Sequence, residues 1–174
     1  ELIRLFNIGE QQVNSEHFTE AKSTFDRIVS IDPNNIDAWI YLGYIALMTN
    51  DYDAAIEYYR SGLDIDPTNI DILNNLAEVQ IKDNNYYDAI DTLKEMADIN
   101  PDESIWIRIA NAYLAINDVY NSIEALQEAI KINPESERAH YRLGILLFDN
   151  NETEESIPHL EFAAEIHPED DQLN

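Results

Sequence analysis

Residues 35–67 read NIDAWIYLGYIALMTNDYDAAIEYYRSGLDIDP, and the fold is decided in this stretch. Two amphipathic segments flank a short polar turn at Asn50. In the first, Ala38 to Leu47, apolar residues continue around most of a helix, which requires contact on more than one face. In the second, Asp53 to Ile65, the residues Ala55, Ile56, Tyr59 and Leu63 recur at the three- and four-residue spacing of a buried stripe. Pro67 then closes the unit, because proline cannot continue a helix and biases Asp66 away from helical geometry.

That closing proline recurs. Pro33, Pro67, Pro101, Pro134 and Pro168 stand 34, 34, 33 and 34 residues apart. A fixed period near 34 means that one supersecondary unit is copied end to end, and such units stack into a solenoid. The period predicts ten main helices and no strands, in repeats at about 2–35, 36–69, 70–102, 103–136 and 137–170 of a single domain, 1–174. Both ends fall in phase with the repeat and the first residue is Glu1, so the chain reads as a piece of a longer protein.

The punctuation agrees with the period. Asn35, Asn69, Asp102 and Ser136 stand where first helices should begin, and each is a strong N-cap. Asp37, Asp71 and Glu137 follow with negative charge in the first turn, which the helix dipole favours. Asn50, Asn84, Asn117 and Asn151 fall between the helices, and asparagine tolerates the left-handed conformation needed there. The sixth proline, Pro158, falls inside a predicted helix and is expected to shift or kink its first turn.

A small residue sits in the middle of each first helix: Gly9, Gly43, Ala77, Ala110 and Gly144, each after a large aliphatic. Another opens each second helix, at Ala21, Ala55, Ala89, Ser122 and Ser156, with Phe25, Tyr59, Leu93, Leu126 and Leu160 four residues on. Small residues let two helix backbones approach while large neighbours fill the groove. On these residues the chain resembles the tetratricopeptide repeat family over essentially its whole length. The resemblance implies an all-α, right-handed α-solenoid of five tandem helix-turn-helix repeats. The chain departs from the family pattern at the early tryptophan, kept only as Trp39 and Trp106, and at bulky Ile28 and Met96.

Composition bounds the partners. The chain has 174 residues, is 45% hydrophobic, and carries a formal net charge of -25. Such a hydrophobic share supports a packed core despite the charge. A surface this acidic repels phosphate backbones and anionic membrane surfaces, which argues against nucleic acid and direct membrane contact. The charge is spread through all five repeats, as a solvating coat or as a selector of basic partners. Cysteine is absent, so there is no disulfide frame and no thiolate metal site. No apolar run reaches the length of a membrane span and no signal peptide is visible, which gives a cytoplasmic expectation.

Catalytic patterns are lacking. None of the four glycines belongs to a phosphate-cradling loop. Glu155 and His159 share a helix face, but no second histidine stands at ligand spacing, and an exposed ion pair is the simpler reading. Asp51-Tyr52-Asp53 begins like a calcium loop and lacks its central glycine. The expectation is therefore a non-enzyme with no cofactor and no metal.

Binding is the better-supported activity. The resemblance implies that first helices line a concave groove for an extended peptide or a partner helix. Carried over to this sequence, the first inward place gives Phe6, Ile40, Asn74, Ile107 and Tyr141. The next residue gives Asn7, Tyr41, Asn75, Arg108 and Arg142, and one turn further come Glu10, Tyr44, Glu78, Asn111 and Ile145. Asparagine can donate to and accept from a peptide backbone, and tyrosine offers contact area at low entropic cost. Ile40, Ile107 and Ile145 could equally pack repeat against repeat. Arg108, Arg142 and Arg138 form a basic end, but the multi-point clamp that some relatives use for chaperone tails is not present. The expected partner is a protein or peptide with apolar anchors and net positive charge. The alternatives are a recruitment or regulatory module of a larger enzyme, and a structural solenoid that self-associates through its repeat ends.

Overall fold

Short turns and strong caps set the lengths of the helices. The computed structural model describes residues 1–166, and these form ten α-helices and no strand. They are α1 (Leu2–Asn14), α2 (Phe18–Ile31), α3 (Ile36–Met48), α4 (Tyr52–Ile65), α5 (Ile70–Lys82), α6 (Tyr86–Ile99), α7 (Glu103–Ala115), α8 (Val119–Ile132), α9 (Glu137–Asp149) and α10 (Thr153–Ile166). Odd-numbered helices are the first helices of the repeats and even-numbered ones the second.

The expected N-caps all form. Asn35 Oδ1 accepts from the Ala38 amide at 2.9 Å, and Asn69 Oδ1 from the Ile72 amide at 3.1 Å. Asp102 Oδ1 accepts from the Ser104 amide at 2.8 Å, and Ser136 Oγ from the Ala139 amide at 3.4 Å. Each such cap contributes about 1 kcal/mol. Asn50, Asn84 and Asn117 take φ of 59°, and Asn151 takes 65°. At each of these turns the next amide reaches back to the last helical turn, as in Asp51 N–H to the Ala46 carbonyl at 2.9 Å. In the first repeat Glu16 fills the same place with φ of 58°. A glutamate carries no turn signal, so the sequence did not mark it.

Pro33, Pro67, Pro101 and Pro134 each follow the end of a second helix. Pro168 and His167 lie outside the described residues. α10 runs through Pro158, so the proline removes one helical hydrogen bond without ending the helix.

The chain divides into two compact units, Glu1–Thr92 and Leu93 onward, with the boundary inside α6. In the first unit, Phe25, Ile28, Leu42 and Ile45 form one buried cluster with Ala21 and Ala38. Ala46, Ala55, Tyr59, Ile72, Leu76 and Val79 form the next. Buried Thr92 donates to buried Gln80 Oε1 at 2.8 Å, so this polar pair is satisfied within the core. In the second unit the buried side chains include Ile105, Ile109, Leu126, Leu143 and Leu147, and Ser122 Oγ donates to the Ala110 carbonyl at 3.0 Å.

Close approach explains the small residues. A Cβ placed on Gly43 would lie 2.4 Å from the Tyr59 ring, and one on Gly9 would lie 2.7 Å from Phe25. In the second unit a Cβ on Gly144 would lie 2.7 Å from Leu160. In these three repeats the large residue of the second helix therefore fills the notch that the glycine leaves, as the spacing requires. Filling it with a fully buried aromatic such as Phe25 contributes about 2–3 kcal/mol.

Candidate functional site

The first helices of the first unit bring several expected site residues together. Tyr41 of α3 donates its hydroxyl to Glu10 Oε1 of α1 at 2.9 Å. Its ring stacks on Phe25 at 4.6 Å between centroids and meets Phe6 edge-on at 5.5 Å. Burial, reinforced by the hydrogen bond to Glu10, pushes the Tyr41 phenol up to about 12. Phe6, Glu10 and Tyr41 are thus one half-buried assembly that joins two repeats.

One repeat on, Tyr44 is 39% exposed and Glu78 is exposed, held 3.6 Å from Lys82. The sequence reading did not include Tyr59 in this site. Its ring lies against Gly43 and is buried. Burial first, then the charges of Glu78 and Tyr44, raise the Tyr59 phenol above its ordinary value. The missing side chain at Gly43 thus lets Tyr59 reach the neighbourhood of Tyr44 and Glu78. The spacing pattern marked Tyr59 as a filler, and only its hydroxyl hinted at a polar end. Asn74 and Asn75 are half-buried, Asn7 is exposed, and Ile40 packs against the core cluster around Tyr59.

In the second unit the outcomes diverge. Ile107 is 1% exposed, so it is a core residue and offers no surface to a ligand. Its neighbours Ile105 and Ile109 are buried too, so α7 is apolar on more than one face and inward placement cannot be read from a single stripe. Arg108 is half-buried. Arg142 of α9 donates to Asn111 Oδ1 of α7 at 2.5 Å. Tyr141 and Ile145 are 56% and 40% exposed.

These residues border a cavity of about 620 Å³. Its apolar wall comes from Ala110 and Leu114 of α7, Leu126 of α8, and Ile145 and Leu146 of α9. Its polar edge comes from Asn111, Arg138, Tyr141, Arg142 and Asp149. The size and the mix of apolar wall and few polar groups suit a small group or a peptide side chain. Among the described residues, the Arg138 side chain makes no hydrogen bond or ion pair.

Glu155 and His159 do not form an ion pair. His159 Nδ1 instead lies 2.8 Å from His140 Nδ1. His140 Nε2 lies 3.1 Å from the Pro134 carbonyl, which can only accept, so that nitrogen carries the proton. His140 Nδ1 is then the acceptor and His159 the donor. Burial, then the neighbouring His140, pushes His159 below its ordinary value. No group of three metal-ligating side chains occurs among the described residues, nor does any helix there have the length and apolarity to cross a membrane.

Comparisons with known proteins bear on the same repeats. The tetratricopeptide repeat pattern matches residues 6–70 and 46–112, and a TPR repeat pattern matches residues 110–151. No curated protein matches the chain. Among solved structures, a MamA protein aligns with a TM-score of 0.78 at 21% identity, over 94% of this chain and 90% of that one. MamA from Desulfovibrio magneticus RS-1 aligns with a TM-score of 0.75 at 19% identity, over 98% and 97%. YrrB, described as a TPR protein with an unusual peptide-binding site, aligns with a TM-score of 0.73 at 16% identity, over 98% and 88%. At these identities the likeness concerns the fold alone.

Proposed function

The chain belongs to the tetratricopeptide repeat family, and on that premise we propose that it is a noncatalytic interaction module. It takes a peptide segment or a partner helix on the faces of its first helices. The observation that carries this reading is the surface left open there. Tyr44, Tyr141 and Ile145 are large side chains that the core leaves substantially exposed, beside amides and charges that can fix a backbone. Exposed large apolar groups rimmed by polar ones are the usual sign of an interaction surface.

On the first unit the partner segment is basic with apolar anchors. Glu10 and Glu78 lie on that face, and a net charge of -25 attracts cations from a distance. YrrB supplies a precedent for peptide binding by this fold, by its description alone.

The test is site-resolved. A basic, leucine-containing peptide is titrated into the isotope-labelled chain and amide shifts are mapped. Shifts concentrated at Tyr44, Asn75 and Glu78, weakened by Glu78→Lys and by Tyr44→Ala, support the reading. Shifts confined to exposed second-helix residues such as Glu57 and Tyr87, or concentration-dependent sedimentation without peptide shifts, would replace it with self-association or a different surface.

A further inference from the structure

The chain holds 35 acids and 10 lysines and arginines, so an arginine with no ion pair among the described residues is out of place. Residues 137–174 contain two such cations, Arg138 and Arg142, and both line the same cavity of the second unit. They stand one turn apart on α9, which puts their guanidinium groups on one face. Among the described residues, neither of them forms an ion pair. Arg142 reaches only the neutral Asn111, and Arg138 reaches no polar partner there.

Between and beneath them the wall is apolar. Leu114 is 38% exposed and Ile145 40%, so the cavity offers hydrocarbon to an incoming side chain. A guanidinium beside a low-dielectric wall binds a carboxylate more strongly than one in open water. We infer that this cavity accepts an acidic peptide segment, with a leucine-sized side chain against Leu114 and Ile145 and flanking carboxylates on Arg138 and Arg142. The inference rests on the proposed peptide-binding function and reverses its charge preference locally. Asp149 at the cavity edge sets a limit, because it repels a second acid on that side. The polarity of the site therefore orients the segment, carboxylates toward Arg138 and Arg142 and away from Asp149.

The general field of the chain works against such a ligand, which makes the test stringent. At about 0.15 M salt the Debye length is roughly 8 Å, so distant acids are screened while contacts inside the cavity are not. The probe is a fluorescein-labelled peptide with a Glu-Leu-Leu-Glu core in a Gly–Ser frame. Its counterparts carry Lys-Leu-Leu-Lys and Glu-Ala-Ala-Glu. The acidic leucine peptide is expected to shift the amides of Asn111, Leu114 and Ile145, and the alanine version to bind more weakly. Arg138→Glu, at a side chain with no described partner, is expected to weaken binding about tenfold while leaving the melting temperature unchanged. Arg138→Lys keeps the charge but loses the paired donors, and an intermediate affinity is expected.

The inference is overturned if the lysine peptide produces the same shifts at those three residues, or if the acidic one produces none. It is overturned equally if Arg138→Glu and Arg142→Glu leave affinity within about twofold. Basic-peptide shifts at Tyr44 and Glu78 with nothing at Leu114 would remove this inference and leave the proposed function standing. Silence at both places would remove the function as well.

Discussion

In the first unit Glu10 of α1 meets Tyr41 of α3, and in the second Asn111 of α7 meets Arg142 of α9. The partners are 31 residues apart in both cases. The repeat thus dictates where adjacent first helices touch and leaves the chemistry of the contact open. In the first unit the contact is a phenol and a carboxylate, clamped by stacking on Phe25 and Phe6. In the second it is an exposed guanidinium on an amide, with a cavity beside it. The first contact is therefore part of the packing, whereas the second can be re-aimed at a ligand at small expense in stability.

The largest effect expected from this contrast lies in the packing that both units share. Gly43→Ala drives a methyl into the Tyr59 ring, which is buried and enclosed. Gly144→Ala meets both Cδ2 and Cγ of half-buried Leu160 at 2.7 Å, with the Leu160 backbone nitrogen at 3.2 Å, so the aliphatic side chain must change rotamer or α10 must shift slightly. Overpacking a rigid site costs about 1–3 kcal/mol, partly offset by the roughly 1 kcal/mol that alanine gains over glycine in a helix. Gly43→Ala should lower the urea midpoint most, and Gly144→Ala should lower it less. Equal losses would mean that the two notches are equally rigid.

Next in size is the contrast between the contacts themselves. Tyr41→Phe keeps the stack and removes the hydroxyl from half-buried Glu10, a loss of about 0.5–1.5 kcal/mol. Arg142→Gln changes an exposed contact and should stay within about 0.5 kcal/mol. For binding of the acidic probe the order should invert, with Arg142→Gln harmful and Tyr41→Phe neutral. Should Arg142→Gln prove the more destabilising, the second-unit contact is structural too and the distinction between the units fails.

How much of this was legible follows from which interactions are local. Caps and turns involve residues within a few positions, so Asn35, Asn69, Asp102 and Ser136, and the left-handed asparagines, could be read directly. The small-and-large pairing also survived, because Gly43 and Tyr59 are fixed by one hairpin. Ile107 took the packing role that the sequence left open beside the inward one, since α7 is apolar on several faces and periodicity cannot choose among them. The cavity was not legible at all, because its wall joins α7, α8 and α9 and its volume depends on side-chain sizes at all three. Arg138 and Arg142 could be grouped by charge, but that neither forms an ion pair among the described residues is visible only in three dimensions.

The smallest effect expected concerns pH, and here the two units should fail at opposite ends of the scale. Tyr41 has its native value raised from 10.0 to about 12, so its share of stability is present below pH 10 and is lost as pH rises through the native value. His159 has its native value lowered from 6.5, so its share is present above 6.5 and fades as pH falls through that lower value. The geometry gives the reason. Neutral His159 donates one proton across 2.8 Å to His140, whose other nitrogen is committed to the Pro134 carbonyl. Protonation of both rings would set two donors and two charges face to face. Glu155, one turn before His159, is exposed and offers only screened compensation. Amide exchange measured residue by residue should show α9 and α10 loosening first on mild acidification, and α1 and α3 loosening first in strong alkali. His159→Gln should remove most of the acid-side loosening and leave the alkaline side alone, and Tyr41→Phe should do the reverse. Loosening that begins in the same helices at both extremes, or that ignores both substitutions, would show that general charge repulsion governs the pH response and that these two groups do not.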